Sequence, residues 1–98
     1  MAEVSIVSRV RINEDVLFQE LQGEAVLLNL KTGVYFGLDT VGTRIWQLLG
    51  EHGVLSEVVQ EMLREYDVKE QSCSEDVVAL VLRMEEHGIV AVVDDSPH

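Results

Sequence analysis

Between Gly23 and Leu49 the chain reads GEAVLLNLKTGVYFGLDTVGTRIWQLL, and three patterns succeed one another within it. Ala25 to Leu30 is apolar on both alternating faces, which predicts a central strand covered on each side. Lys31-Thr32-Gly33 predicts a short hairpin turn, with glycine where φ is positive. Val34 to Leu38 alternates, placing Val34, Phe36 and Leu38 on one face and Tyr35 on the other. Then the period changes. Asp39 stands where an N-cap belongs, and Val41, Ile45, Leu48 and Leu49 recur at helical spacing beside Trp46.

Outward from this stretch the same logic extends both ways. Val16 to Leu21 (VLFQEL) reads as a strand ending at the turn-prone Gln22-Gly23, so three strands joined by short turns form a meander. Val4 to Ile12 adds an extended segment. Gly50 and Gly53 bracket the end of the first helix. Leu55 to Tyr66 carries a full apolar stripe of Leu55, Val58, Val59, Met62, Leu63 and Tyr66. Ser72 and Glu75 form an S-x-x-E capping box that opens a third helix reaching about His87, where Gly88 supplies a C-cap. Ile89 to Val93 reads as a final strand and Asp94 to His98 as a polar tail. The expected class is α+β: a three-stranded antiparallel meander, then a three-helix winged-helix-like bundle with a short C-terminal strand. One domain over residues 1–98 is expected, with an ordered core from about residue 4 to residue 93.

Composition narrows the function. The 98 residues are 47% hydrophobic and 26% charged, the balance of a globular chain. No apolar run approaches the length of a membrane span, and the acid-containing N-terminus is unlike a signal peptide. The single Cys73 cannot form an internal disulfide, and together these features predict a soluble cytoplasmic protein. With 18 acidic against 7 basic residues the net charge is −11. Phosphate backbones and anionic lipid surfaces would repel such a chain, which argues against nucleic-acid and membrane partners. The third helix resembles a groove-reading helix only in position, since Glu75, Asp76, Glu85 and Glu86 outweigh the lone Arg83.

Catalytic and metal chemistry find no constellation. The carboxylates have no spacing that separates a pair from a solvated acidic surface. His52 and His87 lie at helix ends, where the dipole favours them, and His98 lies in the tail. No set of three or four ligands has metal-site spacing, and no cofactor is implied. Cys73 falls in the first turn of a helix, where a thiol pKa can drop, but no histidine or lysine is placed to act with it.

Two features point to binding instead. In the third helix Val77, Val78, Leu80, Val81, Leu82 and Met84 cover an arc of roughly 200°, about twice what a surface helix needs. In a meander the strand Val34 to Leu38 has one free backbone edge, and it carries neither the charge nor the proline that guards natural edges. An unguarded edge beside surplus apolar helix surface makes a groove for an extended peptide. A few added hydrogen bonds contribute about 1 kcal/mol each, so buried apolar anchors must supply most of the roughly 8 kcal/mol of micromolar binding. Two alternatives stay open at this point. The edge can pair with Ile89 to Val93 or with another copy of the chain, and the helix can simply be core.

The run Gly23 to Leu49, with the later LREYDV and EDVVALVLRMEEHGIV, resembles the family of pyrroloquinoline quinone synthesis protein D over about Val16 to Val93. The specific parts are the Y-x-x-L-[ND]-x-x-G-x-x-[IL]-W block, here Tyr35 to Trp46, and the Glu75-Asp76-Val77 opening of the last helix. The resemblance implies a precursor-peptide recognition element that is not an enzyme. In that family a leader peptide lies along the third strand against the third helix. Carried onto this sequence, the peptide-binding positions are Val34, Tyr35, Phe36, Gly37 and Leu38, facing Val77, Val78, Val81, Leu82 and Met84. The implied partners are a precursor leader peptide and a modifying enzyme, either a radical S-adenosylmethionine protein or a leader protease of the lasso-peptide type. One position departs from the family: Val54 stands where Thr or Ser usually caps the second helix. The competing readings are a winged-helix DNA-binding regulator, a homodimeric scaffold using the same edge, and a small thiol enzyme using Cys73.

Overall fold

The computed structural model describes residues 8–93. The element order is β1 (Arg9–Ile12), β2 (Val16–Leu21), β3 (Glu24–Asn29), β4 (Val34–Leu38), α1 (Thr40–His52), α2 (Leu55–Glu65), α3 (Glu70–Glu86) and β5 (Val90–Val93). β2, β3 and β4 form the expected antiparallel meander with β3 in the centre, and β1 pairs antiparallel with β5 in a separate two-stranded sheet. The extended segment expected over Val4 to Ile12 is therefore a real strand from Arg9, while residues 4–7 and the tail at 94–98 lie outside the described residues.

Local chemistry sets the turns. Gln22 and Gly23 both have positive φ, 57° and 84°, the pair that a two-residue hairpin turn needs to follow strand twist. Between β3 and β4 the turn closes with the Gly33 amide donating to the Asn29 carbonyl at 2.8 Å, with Gly33 at φ 77°. α1 opens on a side-chain cap: the Gly42 amide donates to Asp39 Oδ1 at 2.7 Å. Its end lies two residues beyond Gly50, at His52, where Gly53 adopts the left-handed conformation.

Three readings of the sequence need correction. The capping box at Ser72 and Glu75 does not form. α3 starts earlier, at Glu70 after Lys69 with no side-chain cap, so Ser72 lies inside the helix. α2 also has no side-chain cap, in keeping with Val54 at that position. Val54 is extended there and bridges to Arg9, while the Leu55 amide donates to the Ser8 carbonyl at 3.2 Å, so the neighbouring β1 segment takes over work that a capping Ser or Thr would do. β5 begins at Val90, one residue late, and Ile89 is fully buried at the corner before it. Finally, β3 is not covered on both faces: its inner Ala25 and Leu27 are buried, but Val26 on the other face is 45% exposed.

The core lies between the inner face of the meander and the three helices. Leu27, Phe36 and Leu38 meet a continuous buried cluster that includes Leu48, Leu55, Val58, Val77, Val81 and Met84. Trp46 is buried within it and stacks on Phe18 with ring centroids 6.2 Å apart. Full burial of one such large apolar side chain is worth about 1.5–3 kcal/mol. A polar clamp ties the layers together. Asn29, 2% exposed, donates from Nδ2 to the Gly88 carbonyl at 2.8 Å while its Oδ1 accepts from the Lys31 amide at 2.9 Å. Asn13 donates to the same Gly88 carbonyl at 3.0 Å.

Candidate peptide-binding cleft

β4 is the outer strand of its sheet, and among the described residues nothing pairs with its free edge; β5, the one internal candidate, is engaged with β1. Alternate residues of such an edge turn their amide and carbonyl groups outward. Beside this edge runs a cleft of about 480 Å³ between the end of β4, the start of α1 and one side of α3. Leu38, Val41, Ile45, Ala79 and Leu80 give it apolar walls, and Asp76 and Arg83 stand along the α3 side.

Each wall has a local cause. Strand alternation sends Phe36 and Leu38 inward, both 5% exposed, and leaves Tyr35 and Gly37 on the opposite face. Gly42 lets α1 start close against β4, because a Cβ there would stand 3.2 Å from both Asp39 Oδ1 and Leu38 Cδ2. Asp76, Ala79, Leu80 and Arg83 are spaced at three, four and seven residues, so they form one row along α3. Phe36 lies beneath the Arg83 end of that row. The Arg83 guanidinium sits 5.4 Å from its ring centroid, and the His87 ring meets it edge-on at 5.1 Å. His87 Nδ1 lies 2.7 Å from the Arg83 carbonyl, which holds that imidazole over the last turn.

The structure brings the five β4 residues to the edge as a strand, but it divides the five expected α3 residues. Val77, Val81 and Met84 are 0% exposed and belong to the core rather than to the cleft. Val78 is half-buried against that core. Leu82 is 38% exposed, and like Val78 it lies two residues, about 200° of helix rotation, from the cleft-lining Leu80. The cleft row sits on the flank of the apolar stripe, not at its centre. Leu80 was legible as part of the apolar arc. Asp76, Ala79 and Arg83 carried no apolar signal, and Val41 and Ile45 read simply as the core side of α1.

Burial, followed by the charge of Asp76, pushes the Cys73 thiol up, opposite to the helix-dipole effect that would activate it. The Arg44 guanidinium and Glu65 carboxylate hydrogen-bond each other, with Nε donating to Oε1 at 2.7 Å, which raises the arginine and lowers the glutamate. That pair fastens α1 to α2 and spans the helices without entering the cleft. Among the described residues no three His, Cys, Asp or Glu side chains converge as a metal site would require, and no helix is long and apolar enough to cross a membrane.

No curated protein sequence matches the chain. Two solved structures share its fold. One, described as TbiB1 in complex with the TbiA(beta) leader peptide, is 34% identical, superposes with a TM-score of 0.80, and the match covers 87% of this chain and 99% of that one. The other, a lasso peptide synthetase B1 complexed with the leader peptide, is 25% identical with a TM-score of 0.76, over 85% of this chain and 98% of that one. The profile of the family described as Coenzyme PQQ synthesis protein D (PqqD) matches residues 24–90, and the chain belongs to that family.

Proposed function

We propose that this chain is a non-catalytic adaptor that binds the leader segment of a ribosomally synthesised precursor peptide and presents it to a modifying enzyme. The observation that carries this reading is the unpaired edge of β4 facing a cleft walled by α3. An extended leader adds to the meander as a fourth strand, its alternate side chains entering the cleft against Leu38, Ile45 and Leu80. The complexes formed by the two similar structures support the choice of ligand. The modifying enzyme is a radical S-adenosylmethionine protein or a leader protease, and the similarity to lasso-peptide proteins favours the protease. Exposed Glu70, Glu75, Asp76 and Glu86 on α3 oppose the DNA-binding alternative.

Strand addition has a signature independent of any protein variant. The probe is the leader segment of the precursor peptide encoded beside this gene, N-methylated at one backbone amide at a time. Only alternate amides of an added strand donate to its neighbour. Affinity measured by fluorescence anisotropy is expected to fall about tenfold at every second position and little between them. A flat profile, or one with helical period, would remove strand addition.

A further inference from the structure

Gly37 is a glycine that the fold itself does not require. Its φ is not in the left-handed region, unlike Gly23, Gly33, Gly53 and Gly88. A Cβ built on it meets no atom within 4 Å. Glycine inside a strand weakens it, and where neither conformation nor packing demands it, the usual reason is close approach by a ligand or another backbone. Gly37 lies in the cross-strand row Gln19, Val26, Gly37, on the sheet face opposite the helical core. Over that row opens a second hollow of about 450 Å³, floored by Val26 and Gly37 and flanked by Leu21 and Gln19. Val26 is 45% exposed and Leu21 74%. The hollow shares Gly37, Leu38 and Asp39 with the cleft, so one strand laid on β4 borders both.

Directly opposite residues of paired strands project to the same face. The peptide residue opposite Gly37 therefore points away from the cleft and towards this hollow. A large side chain there leans over the glycine onto the next strand, as bulky residues do when they offset a glycine across a strand pair. We infer that Gly37 is a specificity notch, which seats a bulky apolar side chain of the bound peptide against Val26 on the outer face of the sheet. This rests on the adaptor reading and adds a second anchor to it. The bound segment must carry large apolar side chains on both of its alternating faces, rather than on the cleft-facing one alone.

The test is a double-mutant cycle between Gly37→Val and an alanine scan of the same encoded leader segment, read by anisotropy. Valine suits a strand and here enters open space, so the fold is expected to survive. In the wild-type chain, alanine at one outward-facing leader residue should weaken binding about tenfold. Gly37→Val should bind the unaltered leader about tenfold more weakly, and should lose less than about twofold further when that residue is alanine. Unchanged binding by Gly37→Val, or two losses that multiply independently, overturns the notch while leaving the adaptor standing. A leader that fails to bind the wild-type chain overturns both. Should circular dichroism show Gly37→Val unfolded, nuclear Overhauser contacts between the Val26 methyls and the bulky side chain in the wild-type complex decide: their presence supports the notch, and their absence from a complex with shifted β4 amides overturns it. A concentration-dependent mass that Gly37→Val abolishes, without coupling to any leader residue, assigns the face to a second copy and overturns it too.

Discussion

Asn29 shows how much one side chain can organise. Buried and central, it satisfies the Gly88 carbonyl at the end of α3 and accepts the Lys31 and Thr32 amides, so it holds the β3–β4 turn and the α3–β5 corner at once. Gly88 answers it in shape. It sits at φ 73°, and a Cβ there would stand 3.0 Å from Asn29 Nδ2. Asn29→Ala leaves the Lys31 and Thr32 amides without their partner and the Gly88 carbonyl with Asn13 alone, and an unsatisfied buried group costs about 1–3 kcal/mol. A loss of about 2–4 kcal/mol is expected in urea unfolding followed by the fluorescence of the buried Trp46. A loss below about 1 kcal/mol would mean that water or the backbone takes over those bonds. In the run AVLLNL this asparagine carries no sign of its role, because pattern reading sees a polar residue at a strand end and cannot see the carbonyl 59 residues away that it meets.

At the scale of elements, strands were easier to place than faces. β2 and β4 begin and end where their alternation and turn residues put them, because strand period and hairpin chemistry are local. The start of α3 was displaced because the S-x-x-E pattern is a purely local signal, whereas the helix runs on N-terminally through the exposed Glu70, Gln71 and Ser72, ahead of its first buried residue, Cys73. The face of α3 was harder still. A wide apolar arc says that a helix is buried on more than one side, but not which margin meets the edge strand. Two substitutions separate the margins. Ala79→Glu keeps a good helix former and sets a charge in the cleft, and it should weaken the leader at least about tenfold with the melting temperature within about 3 °C. Leu82→Glu, on the other flank, should leave affinity within about twofold. The reverse ranking, measured by anisotropy, would return the binding row to the face expected from the sequence.

The whole molecule combines a net charge of −11 with two surfaces that invite association: the open β4 edge and an outer sheet face carrying exposed Leu17, Leu21, Val26 and Tyr35. Like-charge repulsion opposes contact between copies at neutral pH. As pH falls towards the isoelectric point of about 4.4, carboxylates protonate, that repulsion vanishes, and edges become free to pair. Light scattering is expected to show a monomer at pH 7 and growing mass near pH 4.4, with added leader peptide suppressing the growth by occupying the edge. Association that is indifferent to leader would locate it elsewhere on the surface. The sign of the charge was readable from composition alone. The openness of the outer face was not, because apolar residues on both sides of β3 read as double burial, and only the topology leaves one side uncovered.

The pairing of β1 with β5 has a consequence of another kind. Arg9 and Val93 are partners in its register, and neighbouring strands lie about 5 Å apart. The first and last described strands are thus anchored side by side, on a sheet separate from the one whose edge is open. Such a unit is suited to splicing: two short tethers suffice to set it into a surface loop of a host protein, with the open β4 edge left uncovered.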